Sequence, residues 1–534
     1  MKRVKFRLVA LVLAVAMLLS GCALDFVGYF QRLTNAFQPV SFENMTYTRP
    51  EPERLDEALA ACLKSAEGKS LNKLVGQINS LNSICNSFQT AYFLSYIHYS
   101  IDMTDSYWEE EYNYCSQLVT RVQAAVDELM YTLADSPLRE KLESEAYFGP
   151  GYFDDYDGES MWTEEFTALK DRETELVNAY YEISALAGTM DIRSEAFYTT
   201  LGAQMEAVYA DLVKVRQEIA AEAGYDSYTA YAYDVTYSRD YTPEQAAALL
   251  KGVRTELLDL YGQLAGSDIW SDIGYSQENQ TFEYVQTMAQ AMGGAVQEAF
   301  STMDQGGLYH ISYGENKIGA SYTVYLPEYG VPFILISPTL TEYDRLTFAH
   351  EFGHYCSDYV SGGTMSSIDV SEVFSQGLEY LSLFYADGGD QLEKLKLADS
   401  LCVYMEQAFV ADFEDRVYHM SPEELTAENI RALYSQVAWE YGLGDLVDSR
   451  GYVNVTHLFN SPMYVISYVV SNDAALQLYR MEQESKGLGL DSYMSMLTTQ
   501  QTGFVAFLKE VGLESPFDKG HISTVKQLFE SVLD

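Results

Sequence analysis

From about residue 50 to 300, apolar residues recur at three- and four-residue spacing among strong helix formers, as in LDEALAACLKSAEGKSLNKLVGQINSLNSICNSF from Leu55 to Phe88. That period buries one stripe of a helix and leaves the opposite stripe wet, so this half reads as antiparallel helices. Breaks fall at Ser136-Pro137, across YFGPGYFDDYDGES (147–160) and across SRDYTPEQ (238–245), where Thr242 caps a helix with Pro243 in its first position. After about residue 305 the period changes. ASYTVYL (320–326) and VPFILIS (331–337) are short β-branched and aromatic runs separated by Pro327 and Gly330, and they predict a small sheet. A helix follows at once, with Thr339 or Thr341 as its cap, Glu342 and Asp344 in its first turn and Gly362-Gly363 at its end. The expected fold is mostly α, with one small β-sheet beside that helix.

The first residues do not belong to this pattern. Lys2, Arg3, Lys5 and Arg7 precede an unbroken apolar run of 12 residues, Leu8 to Leu19. A run of that length is too short to span a bilayer and reads as an export signal, residues 1–21. It ends in Leu19-Ser20-Gly21-Cys22, which resembles a bacterial lipobox in which Cys22 is lipidated. The expectation is an exported chain, lipid-anchored to the cell membrane and facing outside the cytoplasm, with residues 22–45 as a tether. Residues 46–304 form an N-terminal helical region, and residues 305–534 form the region that carries the chemistry.

Charge narrows the partners. The chain holds 33 Lys+Arg against 78 Asp+Glu, a net charge of −45, and the leader contains four of those basic residues. Such a surface repels nucleic acid and anionic lipid. Besides Cys22, the cysteines Cys62, Cys85, Cys115, Cys356 and Cys402 show no metal-knuckle spacing; one pair among Cys62, Cys85 and Cys115 could bond outside the cell, or all could be buried thiols. Asp155, Asp157, Gly158 and Glu164 mimic part of a calcium loop, but its first position would be Phe153, which cannot coordinate, so a solvated loop is expected.

The stretch TFAHEFGHYC (347–356) contains H-E-x-x-H, in a chain with 7 His among 534 residues. On a helix, His350 and His354 lie one turn apart and can offer two imidazoles to one metal ion. Glu351 sits on the flank of that face, close enough to act as a general base without being a ligand. A zinc ion with three protein ligands keeps a fourth position for water, so a third ligand is needed. The next helical stretch, SSIDVSEVFSQGLEYL (366–381), offers Asp369, Glu372 and Glu379, and periodicity alone does not choose between Glu372 and Glu379. His98, His310, His419 and His521 have no ligand-like spacing, and Cys356 is rotated away from the ligand face.

At these residues the chain resembles a family. H-E-F-G-H, followed by D-x-x-E-x-x-S-Q-x-L-E from Asp369 to Glu379, resembles the zinc oligopeptidases typified by thimet oligopeptidase and oligoendopeptidase F. The resemblance makes Glu372, ahead of the S-Q element, the third zinc ligand. The interval from His354 is shorter than usual in the family, and this keeps Glu379 as an alternative. The segments Gly319-Ala320-Ser321-Tyr322 and Pro332-Phe333-Ile334 are placed like the family's cleft strands, which pair with substrate backbone. AGYDSYTAYAYDVTYSRDYTPEQ (223–245) resembles the helical approach region of the oligoendopeptidase F branch. In VTHLFNSPMYVISYVV (455–470), His457, Tyr464 and Tyr468 match the groups that donate hydrogen bonds to the scissile carbonyl, with the two tyrosines one turn apart on one helix face. The resemblance covers roughly residues 200 to 500.

What the resemblance implies is a shell of two helical halves around a deep substrate channel. It also implies a zinc endopeptidase that cuts internal bonds of short oligopeptides, with one Zn2+ per chain and Glu351 activating a zinc-bound water. Two other readings fit the same residues: a catalytically inactive peptide-binding lipoprotein on this scaffold, and an exopeptidase of the zincin class.

Overall fold

A computed structural model describes residues 40–534 except 145–146, 157–161, 188–189, 266–268, 272, 315, 364–366, 500, 502 and 534. The export signal, Cys22 and most of the tether therefore lie outside the described residues, as do Asp157 and Gly158 of the acidic loop. Phe153, at the start of that loop, is buried, and Glu164 opens the next helix.

The N-terminal part is helical, as its period requires. Pro52–Ala66, Leu71–Ile101 and Ser106–Ala134 follow one another through short connections and pack on one another. Their ends are defined chemically: Pro52 occupies the first position of its helix, the Ser70 hydroxyl accepts from Lys73 N at 3.4 Å, and the Asp105 carboxylate accepts from Tyr107 N at 3.0 Å. Glu164–Ala187 packs against Ala203–Glu222, and Pro243–Ala265 follows with Thr242 as its cap, its hydroxyl accepting from Gln245 N at 3.3 Å. Among the described residues no helix is long and apolar enough to cross a membrane.

The sheet has three strands, β1 (Tyr309–Ile311), β2 (Tyr322–Leu326) and β3 (Val331–Ile336), in the order β1-β3-β2. The β2–β3 pair is antiparallel, as the two apolar runs imply, whereas β1 runs parallel to β3 and has no counterpart in the sequence reading. Three residues carry too little period to signal a strand.

The motif helix, Tyr343–Ser361, packs on this sheet, and two further helices follow in succession, the carboxylate helix, Ile368–Tyr385, against the motif helix and the tyrosine helix, Ile466–Glu484, against the carboxylate helix. The motif helix has its predicted end, Gly362 in the left-handed conformation at φ 70°. Its start differs from expectation. Neither Thr339 nor Thr341 caps it, and Glu342 is the residue before the first turn; instead the Asp344 carboxylate reaches back, accepting from Thr339 N at 2.8 Å and Thr341 N at 3.1 Å. An ionised carboxylate accepts two amides better than a hydroxyl does, and it also favours the positive end of the helix. The five described cysteines are free thiols, with Cys62, Cys115 and Cys356 buried.

Candidate active site

The motif helix buries Leu346, Ala349, Phe352 and Cys356, so its adjoining face, with His350 and His354, turns to the carboxylate helix. Gly353 makes the close approach possible. A Cβ there would lie 2.5 Å from Ser375 Cα and against the Phe374 carbonyl, so only glycine lets the two backbones meet.

That approach brings three ligand-type side chains together. His350 Nε2 lies 3.4 Å and His354 Nε2 3.8 Å from Glu372 Oε2, and one ligand atom from each of the three residues lies within 4.8 Å of the others. Glu372 is fully buried, and burial raises its carboxyl above the usual range against the pull of His350. Its Oε1 accepts from Tyr464 OH at 2.9 Å and its Oε2 from Ser375 Oγ at 2.9 Å.

The far sides of the imidazoles are also held. His350 Nδ1 lies 2.7 Å from Glu379 Oε1, and His354 Nδ1 lies 3.1 Å from Ser371 Oγ. Lys396 Nζ donates to Glu379 Oε2 at 2.7 Å, and Lys396 is itself buried, 3.3 Å from Asp399 Oδ2. A carboxylate on Nδ1 assigns the proton to that nitrogen and leaves Nε2 with its lone pair. Glu379 therefore lies on the opposite side of the His350 ring from Glu372.

These residues fit a zinc ion. Two imidazole nitrogens and one carboxylate oxygen form the donor set of an open three-ligand site, and His354 Nε2 is buried without a hydrogen-bond partner, an orphaned acceptor that a cation would satisfy.

Glu351 is buried beside them. Thr323 Oγ1 of β2 donates to Glu351 Oε2 at 2.8 Å, and to the Glu351 carbonyl at the same distance. Burial, opposed by His350 and the Thr323 bond, pushes the Glu351 carboxyl up to about 7.

On the other side stand His457, in the short helix Thr456–Asn460, and Tyr468. Tyr468 OH lies 3.4 Å from His457 Nε2. Burial lowers His457 to about 4, so its ring is neutral, and burial raises the Tyr468 phenol. The two tyrosines do not share a helix as expected: the helix begins at Ile466, after a turn in which Met463 has φ 64°. Their rings still approach to 5.1 Å, and Tyr464 OH is engaged by Glu372.

Several supporting groups were not legible in the sequence: Thr323, Ser371, Lys396, and a buried ion pair between Arg239 and Asp369 at 3.4 Å that ties the carboxylate helix to Ser467 through Arg239 Nη2 at 2.9 Å. Arg239 also lies 4.4 Å from the ring centroids of Tyr233 and Tyr237. Only the Ser375-Gln376 element carried a hint, through the family motif. The remaining histidines lie elsewhere: His98 stacks on Trp108, His310 contacts Ser312, His419 contacts the Asp415 carbonyl and His521 contacts Asp473.

A histidine-pair helix packed on a glutamate helix, beside a small three-stranded sheet in a mostly helical chain, makes this a fold of the helical, peptidase-like class. Within that class, residues 42–159 match the family described as the Peptidase M3 N-terminal domain, which bears out the family resemblance read from the motif and extends it to the N-terminal helices. The fold is that of an X-ray structure described as an oligoendopeptidase F, at TM-score 0.81 and 20% identity over 93% of this chain and 99% of that one. Pz peptidase A with an inhibitor gives TM-score 0.81 at 19% identity over 92% and 99%, and an oligoendopeptidase F of Bacillus anthracis str. Ames gives 0.78 at 22% over 93% and 98%. The sequence matches no curated protein.

Proposed function

We propose that the chain is a zinc-dependent endopeptidase that hydrolyses internal bonds of short oligopeptides. The observation that carries this reading is the convergence of His350 Nε2, His354 Nε2 and Glu372 with the buried Glu351 alongside. His350, His354 and Glu372 would hold the ion. When bound, zinc polarises the scissile carbonyl and makes water a stronger acid.

Glu351 takes the proton of the attacking water and passes it to the leaving amine nitrogen. Burial favours the protonated form of the Glu351 carboxyl, which suits a group that accepts a proton and then releases it. Thr323 fixes Oε2 of that carboxylate, and because Thr323 lies on the edge strand β2, a peptide paired along β2 passes directly by the base. Tyr468 and the neutral His457 supply hydrogen-bond donors toward the carbonyl oxygen as it gains charge. Tyr464 steadies Glu372.

The test combines metal analysis with mass spectrometry of products from amino- and carboxyl-blocked peptides of 6 to 15 residues. One zinc per chain, internal cuts that stop with chelator, and a Glu351→Gln variant that keeps zinc but loses turnover are expected. Zinc without products would favour a peptide-binding protein, and trimming confined to unblocked peptides would favour an exopeptidase.

We also propose export with lipidation at Cys22, supported by the charged and apolar leader and by Leu19-Ser20-Gly21-Cys22. A Cys22→Ala variant should lose incorporation of labelled fatty acid; undiminished incorporation would refute the assignment.

A further inference from the structure

We infer that Arg216, far in sequence from His350, Glu351, His354, Glu372 and His457, is a positioning residue for the reaction, acting by holding the helix that carries His457. The inference rests on the peptidase reading. Thr456–Asn460 is only five residues long, too short to be stable alone, and its last carbonyls have no partners within the helix. Arg216, 1% exposed on helix Ala203–Glu222, supplies them: Nη1 donates to the Leu458 carbonyl at 2.9 Å and Nη2 to the Phe459 carbonyl. These are the two residues that follow His457.

The guanidinium is fixed in turn. Nε donates to Glu173 Oε1 at 2.7 Å, and Nη1 also reaches Tyr418 OH at 3.1 Å. Lys170 Nζ donates to the other Glu173 oxygen at 2.5 Å. Burial raises the proton affinity of Glu173, but Lys170 and Arg216 together bring its carboxyl down to about 2, so it stays charged. Phe459 is stacked on Tyr180 with ring centroids 3.8 Å apart.

The consequence concerns which part of the molecule His457 belongs to. Its helix is fastened to Glu164–Ala187 and Ala203–Glu222, while Tyr468 rides on the helix packed against the zinc-ligand helix. The 3.4 Å contact between His457 Nε2 and Tyr468 OH joins the short helix to the tyrosine helix that follows it. A planar fork that binds two successive carbonyls fixes both the position and the rotation of the short helix, which a single ammonium cannot do. Arg216 thus sets where the His457 ring meets Tyr468.

The experiment is a double-mutant cycle on the full-length chain with an internally quenched peptide, using Arg216→Lys, His457→Ala and both together, with zinc content and thermal unfolding measured for each. Arg216→Lys is expected to keep zinc, to leave KM within about threefold and to lower kcat about tenfold; in the His457→Ala background the same change should cost less than about twofold, because groups acting as one unit are not additive. An equal loss in both backgrounds, or an unchanged kcat, overturns the inference. If Arg216→Lys does not fold, Glu173→Gln, which leaves the carbonyl bonds in place, replaces it with a smaller expected loss that again disappears in His457→Ala. Failure of both to fold overturns a role specific to His457 and assigns Arg216 to shell stability. A wild-type chain that binds zinc but cleaves nothing refutes the peptidase reading itself, separately from any result of the cycle.

Discussion

His350 and Glu379 are joined through Nδ1 and Oε1 at 2.7 Å, and the buried Lys396 holds the other Glu379 oxygen at the same distance. Burial opposes the charge on Glu379, but Lys396 and His350 overcome it and hold its carboxyl below the usual range. A charged partner on Nδ1 orients the ring and makes Nε2 a better donor to a metal. Glu379→Gln is therefore expected to weaken zinc affinity by about 10- to 100-fold, with activity recovered when zinc is added back. Competition with a chelator measures this, and Glu372→Gln should show the larger loss; the reverse order would exchange the roles of the two glutamates.

The contact between Gly353 and the Phe374–Ser375 backbone leads to a second expectation. A methyl group at this position cannot be absorbed by a rotamer change, because the atoms it meets belong to main chain. Gly353→Ala should therefore separate the motif and carboxylate helices, costing about 1–3 kcal/mol or more as an overpacked core position and lowering zinc content with it. Helix propensity alone would favour alanine by about 1 kcal/mol, so thermal unfolding distinguishes the two effects by sign.

These two sites also show what the sequence could reveal. His350 and His354 were legible because their relation is local, one turn of one helix. Glu372 was legible through its motif, but its approach to Nε2 depends on the close contact at Gly353, which no period records. The pairing of Tyr464 and Tyr468 as helix neighbours was misread because the turn at Met463 lies between the patterned segments. Arg216 left no signal, since its partners at Leu458 and Phe459 are more than 240 positions away and are backbone carbonyls, which carry no residue identity. Strand β1 is fixed by pairing with β3 rather than by its own three residues.

Tyr464 and Tyr468 are expected to separate by readout. Tyr464 OH is committed to Glu372, so Tyr464→Phe should act mainly on zinc affinity. Tyr468 OH faces His457 and Tyr464 and, among the described residues, has no hydrogen bond to His350, His354 or Glu372, so Tyr468→Phe should leave zinc content nearly unchanged and lower kcat by about 10²–10³, the usual effect of removing an oxyanion donor. Steady-state kinetics with parallel metal analysis checks both, and a Tyr468→Phe enzyme with wild-type kcat would remove Tyr468 from the mechanism.

Glu414 provides a pH dependence independent of the metal. It is buried beside the Met463 turn, and burial pushes its carboxyl from the ordinary 4.5 up to about 8 against the pull of Arg216 and Arg239, with the neighbouring Asp415 adding to the rise. An acid whose folded value is raised holds its proton in the native state while the unfolded chain has already lost it. Between about pH 4.5 and 8 the native state therefore binds more protons than the unfolded state, and stability falls as pH rises through that window. Glu414→Gln cannot ionise and so should remove this slope. The variant is expected to match the wild type near pH 5 to within about 1 kcal/mol and to exceed it at pH 8 by about 3–4 kcal/mol, about 1.4 kcal/mol for each pH unit crossed below the folded value. Denaturant unfolding at the two pH values measures the difference, and a variant that loses stability equally at both would show that Glu414 is charged and paired in the native state.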